Sequence, residues 1–185
     1  MGQCQLALSY YSGLGNHFNL GLAEFIYTTI LKPRPLRLAA NQVIRMLIPE
    51  ITEVGGARVV LNRKDPVVCG ALALRLYEKD EINFLSRAVK PGMTVLDIGA
   101  NIGLYTAILG RGIGPAGRLF SFEPDPENFQ YLSRTVSANG FQNVQLVPAA
   151  ASAAPGTMRL YTSSENRGDN RLYSNELADG YVEVE

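Results

Sequence analysis

An α/β fold built on a parallel sheet is predicted for this chain by three observations. The apolar run Val95-Leu96-Asp97-Ile98 breaks at Gly99-Ala100-Asn101-Ile102-Gly103, and Leu104, Ala107 and Ile108 then recur at helical spacing. A second strand, Arg118 to Phe122, ends at Glu123 and leads into a helix with clear end signals: Asp125 as N-cap, Pro126 at the first helical position and Gly140 as C-cap. A third strand runs from Asn143 to Val147. The order β, α, β, α, β with short links implies right-handed crossovers and a parallel sheet buried on both faces.

The remaining elements are read in chain order. Residues 1 to about 16 are rich in Gly and Ser and show no periodicity, so no element is expected there. Leu20 to Leu31 and Leu36 to Ile48 read as two apolar helices separated by Lys32-Pro33-Arg34-Pro35. In the second, Leu36, Ala39, Ala40, Val43, Ile44 and Leu47 form one apolar face, expected to pack on the domain or a partner, with Arg37, Asn41, Gln42 and Arg45 opposite. Ile51 to Leu61, interrupted by Gly55-Gly56, suggests a β-hairpin. Val67 to Tyr77 fits strand or helix, Glu78 to Val89 is helical by Ile82, Leu85 and Val89, and Pro91-Gly92 stops that helix. Past Ala150, strands are expected at Thr157 to Tyr161 and Gly180 to Val184, with a polar loop between them. Residues 1–50 thus read as an accessory helical region and 51–185 as the main domain.

Composition narrows the function classes. With 185 residues, 46% of them hydrophobic and 18% charged, the chain has the make-up of one ordinary globular domain with an appendage. Lys+Arg and Asp+Glu balance at 17 each, so no electrostatic argument favours a nucleic-acid partner. Cys4 and Cys69 show no metal-ligand spacing and read as free thiols of a reducing compartment. The single histidine, His17, excludes a His-rich metal site, and Glu165, Asp169 and Glu176 lack the spacing of a calcium loop, so no metal is expected. No apolar segment is long enough to span a bilayer. The expected setting is soluble and cytoplasmic, and nothing in the chain sets an oligomeric state.

In open parallel sheets ligands bind beyond the carboxyl ends of the strands. Three groups converge there: the Gly99 to Gly103 loop, Glu123, and the turn Pro148-Ala149-Ala150. An acidic residue ending the second strand, about 20 residues past such a loop, suits the hydroxyls of a ribose. Ala149 and Ala150 leave room for a flat ring. A dinucleotide would want a glycine where Asn101 stands, so that a pyrophosphate can approach, and Asn101 therefore counts against a nicotinamide oxidoreductase. An adenosine ligand without phosphates, S-adenosylmethionine, fits better.

Tyr77-Glu78, VLDIGANIGLYT (Val95 to Thr106), FEPDPENF (Phe122 to Phe129), Leu132, Asn139 and the Asn170 loop together resemble the FkbM-type methyltransferases. The resemblance covers roughly residues 58 to 175 and implies a class I, Rossmann-like, S-adenosylmethionine-dependent enzyme that O-methylates hydroxyls of sugars or natural products. It implies that Asp97, Gly99, Asn101 and Gly103 line the methionine and ribose side, that Glu123 holds the ribose hydroxyls, and that Tyr77 and Glu78 lie near the methionine end.

The chain departs from the family after the third strand. The Asp-x-Glu-Gly strand that family members carry next does not occur in this sequence, so residues 51–185 are expected to be a C-terminally truncated methyltransferase domain. No general base is assigned. The acceptor class would be a small molecule or glycan, and the alternative is a non-catalytic cofactor-binding module or a subunit completed by another chain.

Overall fold

In the computed structural model, residues 7–9, 34–74, 79–162, 170, 172 and 180–185 are described. The parallel core is as expected. Strand β4 (Thr94–Ile98) leads through helix α4 (Leu104–Ile113) to β5 (Arg118–Phe122), and α5 (Pro126–Asn139) leads to β6 (Val144–Val147). The pairings are parallel, with Leu96 opposite Phe120, Ile98 opposite Phe122 and Phe122 opposite Val147. Asp125 caps α5 by accepting from the Glu127 and Asn128 main-chain N–H groups, and Gly140 ends the helix in the left-handed region.

Two expectations about this sheet are corrected. Strand β1 (Ala7–Ser9) pairs parallel with β4, giving a four-stranded sheet in the order β1-β4-β5-β6 where three strands, and no element before residue 16, were expected. Three residues held by main-chain pairing carry no side-chain period, which is why this stretch looked irregular. The sheet is also not buried on both faces. Val95, Asp97, Leu119 and Ser121 are buried, whereas Leu96, Ile98, Phe120 and Phe122 are only half-buried. Both crossovers step the same way across the sheet, so right-handed connections lay α4 and α5 on one face.

That covered face receives the N-terminal elements. A hairpin of β2 (Ile51–Val54) and β3 (Ala57–Val60) turns at Gly55-Gly56, α2 (Val68–Ala73) makes a short helix of the first part of the ambiguous stretch, and α3 (Lys79–Ala88) follows. Val59, Leu61, Cys69, Leu72 and Ile82 pack with Ile102, Leu104, Ala107 and Ile108 around α4. Leu85, Val89, Val95, Leu109, Ile113 and Leu119 continue the core beneath α3. Thr135 of α5 joins hairpin to loop: its Oγ1 accepts the Val60 N–H at 3.0 Å and donates to the Ile102 carbonyl at 2.8 Å. Cys69 is a free, buried thiol whose pKa burial pushes up to about 12, which favours the protonated form.

The expected apolar helix is α1 (Arg34–Leu47), but its facing is corrected. Asn41 and Ile48 are buried and Ala40 and Ile44 half-buried, while Leu36, Ala39, Val43 and Leu47 are exposed. The apolar period fixes a stripe on the helix, and tertiary contacts decide which way the helix is turned. The first expected helix, Leu20 to Leu31, lies outside the described residues. No helix among the described residues is long and apolar enough to cross a membrane.

The late strands form at Met158–Thr162 (β7) and Gly180–Val184 (β8). They pair antiparallel with each other, Leu160 opposite Val182, and so do not extend the main sheet. The Ala150 N–H donates to the Glu185 carbonyl at 2.6 Å, which holds this small sheet against the turn after β6.

Candidate cofactor site

The loop after β4 is bent by three left-handed residues, Gly99 (φ 78°), Asn101 (φ 50°) and Gly103 (φ 91°). Asn is the side chain that best tolerates this region, and Asn101 Oδ1 accepts the Ile102 N–H at 2.7 Å. The N–H groups of Gly99 and Ala100 both donate to the Phe122 carbonyl at 2.9 Å, which ties the loop to the end of β5.

Glu123 sits beside that tie and is 5% exposed. Its Oε2 accepts the Asn101 N–H at 2.7 Å and its Oε1 accepts the Asp125 N–H at 2.8 Å. Burial raises its pKa to about 7, against the lowering effect of those two hydrogen bonds and one from the Asn128 side chain; the charge of Asp125 adds to the rise. A carboxylate offers about four acceptor directions, so capacity remains for a ligand hydroxyl.

The two glycines of the loop have different surroundings. A methyl group added at Gly99 would meet nothing within 4 Å, so the loop leaves open space there. At Gly103 it would lie 2.9 Å from Leu132 Cδ1 and 3.1 Å from Thr135 Cγ2, so this glycine lets α5 approach the loop.

Asp97 also faces inward. Its Oδ2 accepts the Thr106 hydroxyl at 2.5 Å, Ser121 Oγ lies 2.9 Å from Thr106 Oγ1, and all three residues are buried. Burial raises the Asp97 pKa to about 6, partly offset by hydrogen bonds from Thr106. Asp97 thus anchors β4 to α4 beneath the loop. Ala150 is half-buried in the turn after β6. Tyr77 and Glu78 lie outside the described residues.

The structure therefore brings together Gly99, Asn101 and Glu123, with Asp97 and Gly103 supporting them from below. It adds Asn128, which sequence reasoning missed. Asn128 is 2% exposed, and its Oδ1 is buried without a hydrogen-bond partner. The available signal was a polar residue directly beside the apolar stripe of Phe129, Leu132 and Val136. Open space over Gly99, acceptor capacity on Glu123 and this orphaned oxygen together fit an adenosine-bearing cofactor, which offers hydroxyl donors and a flat ring.

Sequence comparison finds similar proteins among the methyltransferases. Residues 79–153 match the family model of protein-L-isoaspartate (D-aspartate) O-methyltransferase, from α3 to just past β6. A protein-L-isoaspartate O-methyltransferase of Methanococcus maripaludis is 32% identical over 56 residues, covering 30% of this chain and 26% of that protein. Methyltransferase sdnD of Sordaria araneosa is 30% identical over 91 residues, 49% of this chain and 35% of that one. A solved structure of M. jannaschii TYW2 in complex with AdoMet superposes with a TM-score of 0.40 at 19% identity, covering 52% of this chain and 41% of that one. This chain spans between a quarter and about a third of the two curated relatives. Over the matched segment it shares the α/β fold of class I, S-adenosylmethionine-dependent methyltransferases.

Proposed function

We propose, on the basis of this methyltransferase fold, that the protein binds S-adenosylmethionine and takes part in methyl transfer to an oxygen of a sugar or natural-product hydroxyl, in the manner of the FkbM-type enzymes. The observation that carries the cofactor assignment is Glu123, placed at the carboxyl end of β5 and joined to the loop through Asn101 at 2.7 Å. When bound, the cofactor supplies an electrophilic methyl group on a sulfonium.

The chain's own residues do the holding. Glu123 accepts the ribose hydroxyls, Gly99 leaves room for the sugar, and Ala150 borders the adenine. Asp97 and Thr106 keep the loop in register from beneath. Alignment of the acceptor oxygen with the methyl group, away from water, would supply much of the rate.

Titration calorimetry with S-adenosylhomocysteine and, separately, with NAD tests the cofactor. Binding of the first alone is expected; tight binding of NAD with no response to S-adenosylhomocysteine would sink the assignment. A second reading, methylation of isoaspartyl carboxylates, is favoured by the family model that matches residues 79–153. Methyl transfer from labelled cofactor to sugar hydroxyls in one assay and to an isoaspartyl peptide in another decides between them.

A further inference from the structure

The segment between β7 and β8 touches the cofactor site at one described point. Asn170 Nδ2 donates to Asp125 Oδ2 at 3.0 Å, across 45 residues of sequence. The other oxygen of that carboxylate, Oδ1, accepts the N–H groups of Glu127 and Asn128 at 2.8 Å. The Asp125 main chain in turn donates to Glu123 Oε1, and Glu123 Oε2 accepts from Asn101. Asn170 therefore stands at one end of a continuous hydrogen-bonded path whose other end is the glycine loop.

From this path we infer that Asn170 is a positioning residue for the cofactor, acting on Glu123 through Asp125; the inference rests on the S-adenosylmethionine reading above. Helix capping needs only Oδ1 of Asp125, so the bond to Oδ2 is additional to it. It does two things. It fixes the rotation of the Asp125 carboxylate, and with it the peptide whose N–H holds Glu123. It also draws negative charge away from Glu123, because a hydrogen bond to an ionised acceptor weakens that acceptor's field on its neighbours. The groups that act on Glu123 are Asp125 by its charge and main chain, Asn101 by its main chain and Asn128 by its side chain.

The test uses the whole chain, with S-adenosylhomocysteine as the probe, from pH 6 to pH 9, alongside thermal melts. Asn170→Ala should weaken binding about fivefold to tenfold, with a melting temperature close to that of the wild type. Asn170→Asp places a second carboxylate beside Asp125 and should move the midpoint of the binding profile to higher pH. Wild-type affinity and an unmoved midpoint in both variants would overturn the inference. So would weaker binding that only tracks a lower melting temperature while the midpoint stays in place. Failure of the wild type to bind the probe would instead remove the cofactor reading, and the inference with it.

Discussion

Glu123 Oε2 accepts the Asn101 main-chain N–H at 2.7 Å, so the carboxylate assigned to the ligand also holds the left-handed apex of the glycine loop. Loop shape and ligand binding are thereby coupled in one side chain. Glu123→Gln keeps the size but replaces one acceptor oxygen by an amide that repels either Asn101 N–H or Asp125 N–H. Binding of S-adenosylhomocysteine should weaken at least tenfold by calorimetry, and Glu123→Ala should leave none measurable. Unchanged affinity in both variants would exclude Glu123 from the site.

The pH dependence of binding follows from the same carboxyl group. Its pKa in the free protein is raised to about 7, chiefly by burial, and hydroxyl donors prefer the ionised form. Affinity should therefore rise with pH through 7, by about tenfold between pH 6 and pH 8 if the bound form stays ionised throughout. The profile of Glu123→Gln should be flat over that interval, whatever its absolute affinity.

Stability should run the opposite way with pH. Asp97 is raised from 3.8 to about 6 and Glu123 from 4.5 to about 7, so between the lower and upper values the folded state carries more protons than the unfolded one. Stability from these groups is complete below pH 4 and is lost as pH rises toward 7, each shift of about two units corresponding to ~3 kcal/mol. Asp97→Asn should flatten the part of this decline between pH 4 and pH 6 in urea denaturation series. A decline as steep as the wild type's would show that Asp97 titrates normally.

Thr135 offers a test of how the hairpin is attached. Its hydroxyl serves both Val60 N–H and the Ile102 carbonyl, and the residue is fully buried. Thr135→Val keeps the shape and leaves both partners without a bond, which costs ~1–3 kcal/mol for each buried group. Urea unfolding should report a loss of ~2–6 kcal/mol for the two groups together.

The β-α-β-α-β core was legible because its signals are local: a change from strand to helix period at Gly99 to Gly103, and a complete set of caps from Asp125 to Gly140. Glu123 was legible by its distance from the loop. What escaped depends on which elements meet. The apolar stripe of α1 was readable, yet Val43 and Leu47 are turned outward while Ile44 and Ile48 pack on the core and Asn41 is buried. The pairing of Ala7–Ser9 with β4 is a main-chain event with no side-chain pattern. Asn128 was hidden because its orphaned oxygen is a property of the folded neighbourhood alone.

Gly99 and Gly103 show the same limit, and they make the sharpest mutational contrast. Both have positive φ, so alanine at either position carries the strain of a left-handed L-residue, roughly 1 kcal/mol. Gly103→Ala adds a contact of 2.9 Å with Leu132 Cδ1 inside a close-packed region, and overpacking of that kind costs ~1–3 kcal/mol more. Gly99→Ala adds no clash but puts a methyl group into the open space assigned to the cofactor. The first variant should melt well below the second, whereas the second should lose more affinity for S-adenosylhomocysteine relative to its stability. Equal melting temperatures would contradict the packing role of Gly103, and full affinity in Gly99→Ala would place the ligand elsewhere on the loop.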